Sequence, residues 1–417
     1  TETYYRETCA VALESGMKDV FSPMIYARWT WAASLVDAKE IEFLIYKNNP
    51  GDLSKFKVGD TIEISTNSNH TIDNLAKVDG ESFVPCMCDE DIYQTVLANV
   101  LKKLQKNSDV NAIQVGQGDG GTPCKCSKCT AVNNEYGTDN AAWFLFINRL
   151  ADEVAEQYPG VKIITYSYQF THGVPQNGYT VSDNVIINFC FDNACYNHAF
   201  DDPNCEKNVP VVAEFREWAA LCKAGNLYAY EYAWNCGSAP LPDPNPFVMW
   251  DNFQLFVECG VNGILAEGIP SKGGEMDYLR HYLRTKLTWN PYMTEEEYYT
   301  LMDEFMEDYY GDAAPILKQY WETLYDPEYM HHSDMYTPIE AFYRTLDENG
   351  KRDVTFATEM MELWNSALAV ETLTPEQYEH VEYGSMHMIW IMRQLVFDRK
   401  MEKLWNTLVD KYGQIGR

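Results

Sequence analysis

The chain has 417 residues, 46% of them hydrophobic, and carries 62 Asp+Glu against 32 Lys+Arg for a net charge of −30. That apolar content supplies a large core and excludes a disordered chain. The charge repels phosphate backbones and anionic lipid, which excludes nucleic acid as a partner, and no run of about 18 uninterrupted apolar residues predicts membrane insertion.

In chain order, short runs rich in Val, Ile and Tyr predict eight strands, at 20–26, 42–46, 61–65, 112–116, 161–168, 184–189, 226–232 and 263–267. Amphipathic segments between several of them predict helices. Residues 89–106 place Ile92, Val96, Val100 and Leu104 at helical spacing behind Asp89, a residue type suited to an N-cap. Residues 140–158 place Trp143, Ile147, Leu150 and Val154 on one face, and 209–222 and 246–259 follow the same pattern. Alternating strand and helix predict a parallel sheet, and eight strands within residues 1–291 predict a closed (β/α)8 TIM-type barrel carrying the catalytic site. After Trp289-Asn290-Pro291 the strand signals stop. Tyr298, Leu301, Phe305 and Tyr309, then Phe356, Met360, Leu363 and Ala367, predict a C-terminal all-helical region over 292–417, whose acids form a solvated face.

In a parallel barrel the working residues sit at the C-terminal strand ends. The fourth predicted strand ends in Gly116-Gln117-Gly118-Asp119-Gly120, where glycines let the backbone turn and present Gln117 and Asp119; an Asx-type turn is the competing reading. The seventh holds Glu231 within Tyr228-Ala229-Tyr230-Glu231-Tyr232-Ala233-Trp234. An acid in so apolar a strand must pair, ligate or act. The eighth ends in Ala266-Glu267-Gly268. Three carboxylates beside Tyr168, Tyr230, Tyr232 and Trp234 suit glycoside hydrolysis. One carboxyl protonates the leaving oxygen, another stabilises or attacks the oxocarbenium-like centre, and flat rings pack on sugar faces. Glu231 and Glu267 are the expected chemical pair, with Asp119 positioning substrate or, alternatively, donating the proton; either Glu also fits a structural salt bridge. His172 after the fifth strand, His70 after the third and Arg28 after the first are further substrate-binding candidates.

Cys124-Lys125-Cys126-Ser127-Lys128-Cys129 can turn three thiolates toward one tetrahedral metal, with the lysines offsetting their charge. Structural zinc is the expected occupant, with disulfides or free thiols as alternatives. The fourth ligand is expected from Cys86, Cys88, Cys195, Cys205 or His198.

Taken as an ordered set, Gly116-Gln117-Gly118-Asp119-Gly120, the three-cysteine cluster, Phe146-Ile147-Asn148-Arg149-Leu150-Ala151, Tyr158-Pro159-Gly160-Val161, Tyr166-Ser167-Tyr168-Gln169, Asp192-Asn193-x-Cys195-x-x-His198, Lys286-Leu287-Thr288-Trp289-Asn290-Pro291 and Tyr309-Tyr310-Gly311-Asp312 resemble the domain-of-unknown-function 4838 family. Its members characterised as glycoside hydrolase family 163 are endo-β-N-acetylglucosaminidases. The resemblance implies a (β/α)8 barrel, cleavage within the N,N′-diacetylchitobiose core of N-glycans, glycoproteins as partners, no catalytic cofactor, and secretion or surface display by gut bacteria. The alternatives are a non-catalytic glycan-binding barrel and a glycosidase of another N-acetylhexosamine-containing glycan.

Overall fold

The computed structural model describes residues 71–76, 84–106, 112–267 with breaks at 234, 236–239 and 243, 274–326, and 348–412 with a break at 397–398, together with isolated positions between 332 and 346. Five strands, β1 (Ala112–Gln114), β2 (Lys162–Ser167), β3 (Val185–Cys190), β4 (Leu227–Tyr232) and β5 (Gly263–Glu267), form one parallel sheet in sequential order. The expected closed eight-stranded TIM barrel is therefore corrected to an open, five-stranded half-barrel: among the described residues β1 pairs only with β2, and β5 only with β4. The runs at 20–26, 42–46 and 61–65 lie outside the described residues. An apolar run meets a strand's composition without specifying a neighbour.

Register assigns the two faces. Tyr166 pairs with Asn188, Cys190 with Tyr230, and Tyr232 with Glu267, so these residues share one face, the inner one. Thr165, Ile187, Phe189, Ala229 and Glu231 alternate onto the outer face, which the helices cover.

Helices α1 (Ile72–Ala76), α2 (Glu90–Lys106), α3 (Ser127–Glu135), α4 (Ala141–Gln157), α5 (Asn208–Leu221), α6 (Met249–Glu258) and α7 (Asp277–Trp289) belong to the sheet layer. Asp89 caps α2 as expected, its Oδ1 accepting from the N–H groups of Asp91 (2.9 Å) and Ile92 (3.2 Å). The predicted stripe of α4 is fully buried at Trp143, Ile147, Leu150 and Val154, each side chain contributing about 1.5–3 kcal/mol by leaving water. Trp143 Nε1 also donates to Thr165 Oγ1 at 3.1 Å, which fixes α4 on the outer face. Phe215 of α5 sits 5.1 Å from the rings of both Phe189 and Phe191, continuing that core.

The C-terminal helices are α8 (Glu295–Tyr310), α9 (Ala314–Leu324), α10 (Thr355–Leu368), α11 (Pro375–Leu395) and α12 (Arg399–Tyr412). One of the acids assigned to a solvated face has a second duty: Glu297 and Thr294 exchange hydrogen bonds in a capping box that starts α8. Tyr298 of α8 donates to Pro246 O at 2.6 Å. Arg280 of α7 meets Glu275, Tyr325 and Pro244 O, so these helices are fastened to the loop after β4. Among the described residues no helix is long and apolar enough to cross a membrane.

Candidate active site

The rim is built first by backbone and amide groups. Gln117 is buried, and its Nε2 donates to Tyr168 O (2.8 Å) and Thr171 Oγ1 (2.6 Å), tying the turn after β1 to the turn after β2. Its amide thus supports the rim. Asp119 is exposed and accepts from the Tyr168 hydroxyl at 2.8 Å; Gln169 Nε2 donates to that hydroxyl oxygen at 2.9 Å, and Gly120 N donates to Gln169 Oε1 at 2.8 Å. The loop of bonds holds Gln169 at φ +51°, an uncommon conformation for a side-chain-bearing residue. Burial, and then Asp119, raise the Tyr168 hydroxyl above its usual range, so it remains a donor and Asp119 the acceptor.

The inner face carries a second tyrosine–carboxylate contact. Tyr230 donates to Glu267 Oε2. Tyr230 lies 6.1 Å from Tyr166, edge to face, and 5.2 Å from Tyr232, and all three rings are buried. Burial, reinforced by Glu267, raises Tyr230 well above the ordinary phenol range. Its proton stays on the phenol, so Tyr230 is the donor and Glu267 the acceptor.

Glu231 is placed differently. It is 1% exposed on the outer face, where its Oε2 accepts from Arg284 Nε of α7 at 2.9 Å. The Nη1 and Nη2 atoms of Arg284 are buried with no hydrogen-bond partner among the described residues, so Glu231 is the group that answers this charge. The expected pair of Glu231 and Glu267 is consequently split across the sheet.

His172 is buried, not a solvent-facing loop residue: its Nε2 lies 2.5 Å from Asp192 Oδ1, and its Nδ1 is 4.0 Å from Glu214. Asp192 follows β3 with the same parity as Asn188 and Cys190. The Cys190 thiol responds to these acids. Burial pushes it well above its usual range, and the charges of Asp192, Glu267 and Asp119 push it further; Asp119 follows β1, Asp192 follows β3 and Glu267 ends β5, so the three acids stand at the C-terminal edge of one parallel sheet. Within β3 and β1, both polar atoms of the Asn188 side chain and Oε1 of Gln114 are buried without partners among the described residues. Trp234, His70 and Arg28 lie outside the described residues.

The cysteine cluster gains its fourth member from Cys86. The sulfurs of Cys86, Cys124, Cys126 and Cys129 all lie within 4.8 Å of one another, and Cys86 is 3.6 Å from both Cys126 and Cys129. A disulfide needs about 2.05 Å, whereas zinc–sulfur bonds of about 2.3 Å in a tetrahedron set sulfurs about 3.8 Å apart. The group can hold a metal ion. Cys126 caps α3, and the Cys129 N–H, then the contact with Cys86, lower its thiol to about 6, making it the first thiolate to form.

A family model described as a domain of unknown function, DUF4838, matches residues 73–322. The chain belongs to this family. No curated protein matches it. Among solved structures it is similar to a mutant of the Thermobaculum terrenum O-GlcNAc hydrolase, at 11% identity and a TM-score of 0.41, over 79% of this chain and 71% of that one. A GH138 enzyme targeting the pectin rhamnogalacturonan II is similar at 9% identity and a TM-score of 0.33, over 78% of this chain and 62% of the other.

The DUF4838 match runs from α1 into α9 and contains the whole described sheet, Asp119, Asp192 and Glu267 at its strand ends and the four thiols, while α10 to α12 lie beyond it. Within it, sequence reasoning singled out no role for Asp192, Asn188, Cys190 or Tyr166. The signal was present in period-two parity: Asn188, Cys190 and Asp192 are alternate residues that share the face of Tyr166 and Tyr230.

Proposed function

We propose that this DUF4838 protein is a glycoside hydrolase whose reacting carboxylates are Asp119 and Glu267. The observation that carries the reading is that Asp119, Asp192 and Glu267 stand at the C-terminal ends of β1, β3 and β5 of one parallel sheet whose inner face carries Tyr166, Tyr230 and Tyr232. Glycoside hydrolysis needs two carboxyl groups flanking one bond, and tyrosine rings suit the apolar faces of sugars. Glu267, which accepts from the Tyr230 hydroxyl, stabilises or attacks the oxocarbenium-like centre. Asp119 faces solvent and can exchange protons with it between turnovers, so it carries the proton to the leaving oxygen. Asp192 and His172 hold one another beneath the site as positioning residues. Glu231 neutralises Arg284 and keeps α7 against the sheet.

The substrate is a glycan containing N-acetylglucosamine, cleaved within the N,N′-diacetylchitobiose core of an N-glycan. The ordered motifs that resemble glycoside hydrolase family 163 support this finer reading, and the buried amides of Asn188 and Gln114 supply donors and acceptors for hydroxyl and acetamido groups. The Cys86, Cys124, Cys126 and Cys129 group holds a structural zinc, since four protein ligands leave no open position for catalysis. Incubation with an N-glycosylated protein, read by intact mass, tests the reading. The expected loss leaves one N-acetylglucosamine on each modified Asn. Failure to release glycan from complex, hybrid and high-mannose substrates alike overturns it.

A further inference from the structure

A second group of metal-binding side chains lies away from the thiol cluster. Cys195 and His198 follow β3, Cys205 stands just ahead of α5, and His332 comes from the segment between α9 and α10. One ligand atom from each lies within 4.8 Å of all the others. Cys195 Sγ is 3.2 Å from His198 Nδ1, and Cys205 Sγ is 3.6 Å from His332 Nδ1. Zinc bonds of about 2.3 Å to sulfur and about 2.0 Å to nitrogen give tetrahedral sulfur–nitrogen edges of about 3.5 Å, which these contacts bracket. Both cysteines are free.

The scaffold around the group is already ordered. Asn208, fully buried at the start of α5, accepts from Cys195 N at 2.7 Å and donates to the carbonyls of Cys195 and Ala199, each at 3.0 Å. Its own N–H donates to Cys205 O at 3.0 Å. One residue, through its side-chain amide and its own N–H, therefore fixes the backbone carrying three of the four ligands. Ser333 N donates to Cys195 Sγ at 3.3 Å, which ties the residue beside His332 to the first cysteine of the group. Cys195 and Cys205 are buried, His198 is half-buried, and His332 closes the group from the solvent side.

We infer that Cys195, His198, Cys205 and His332 form a second, structural zinc site, which clips the loop after β3 to the segment between α9 and α10. Two thiolates cancel the charge of Zn2+, so the assembly is neutral where it is buried, and a tetrahedral S2N2 set favours zinc over harder cations. The clip joins positions 127 residues apart and steadies the loop whose first part carries Asp192. All four positions are filled by protein, so the ion has no place for substrate.

Zinc content of the full chain, measured by mass spectrometry after exposure to excess Zn2+ and gel filtration, tests the inference. Two ions per chain are expected, falling to one in Cys205→Ser and in His332→Ala. His332 is exposed, so its variant should retain the wild-type circular dichroism even if Cys205→Ser misfolds. X-ray absorption at the zinc edge of Cys126→Ser/Cys129→Ser, in which the first group is disabled, should give two sulfur and two nitrogen neighbours. At most one ion in the wild type, an unchanged count in a folded His332→Ala, or an all-oxygen shell in the double variant would overturn it. No glycan enters these measurements, so they stand or fall apart from the hydrolase reading.

Discussion

Glu231 and Glu267 lie on adjacent strands, in similar apolar sequence, and on opposite faces of the sheet. Glu267 is directly opposite Tyr232, so it joins the tyrosines of the inner face, while Glu231, one residue before Tyr232, turns outward to Arg284. The outer acid is 1% exposed and held by a guanidinium; the inner one is part-buried and held by a phenol. An ion pair under a helix gives an acid a fixed charge and no access. A phenol contact leaves the inner acid part-buried on the face that the tyrosines line. Strand parity, more than nearness to a strand end, decides which face of the sheet an acid joins.

The largest expected effect breaks the inner face. Glu267→Gln or Asp119→Asn should lower glycan release by about 10²–10⁴-fold with little change in melting temperature, as seen by rate assay and calorimetry side by side. An equal rate in either variant would leave a glycan-binding protein in place of an enzyme. On the outer face the signature is inverted: Glu231→Gln strands a buried Arg284 and should cost about 3–5 kcal/mol in urea unfolding, and Glu231→Leu/Arg284→Met should recover most of it. If the single change were harmless, the ion pair would not be what holds Glu231.

Two smaller effects sharpen the contrast. A Cβ at Gly263 would lie 2.6 Å from the Tyr228 ring, so Gly263→Ala should cost about 1–3 kcal/mol by displacing a tyrosine of the inner face, measurable by thermal unfolding. His387, in the C-terminal helices, is a buried polar group of the fixed kind: it lies 2.9 Å from the Tyr320 hydroxyl and near Gly384 O, and burial lowers its pKa to about 3. Its folded value is below the unfolded one of about 6.5, so the unfolded chain takes the proton first. Its contribution is complete above about pH 6.5 and declines as the pH falls from there toward 3. Stability at pH 5.5 should be roughly 1 kcal/mol below that at pH 7.5, with a flatter profile in His387→Gln. A wild-type slope retained by the variant would assign the effect elsewhere.

Local features were legible in the sequence. Asp89 capping α2, the buried stripe of α4 and the apolar run of β4 depend on neighbours a few residues apart, and they stand where the sequence pattern put them. Closure of the sheet was not legible, because an apolar run says nothing of which strand will pair with it. Three thiols of the first metal group share one hexapeptide, but the fourth, Cys86, lies 40 residues from Cys126, and His332 meets Cys205 across 127 residues. Glu231 shows the division most clearly. Its parity against Tyr230 and Tyr232 was written in the strand, yet nothing in β4 itself announces Arg284, 53 residues away.

The most direct measurement compares glycan release from an N-glycosylated protein by Glu231→Leu/Arg284→Met with release by Glu267→Gln, each shown to be folded. The double variant is predicted to keep the wild-type rate while Glu267→Gln loses about 10²–10⁴-fold. A folded double variant without activity, beside an active Glu267→Gln, would contradict the assignment of chemistry to the inner face.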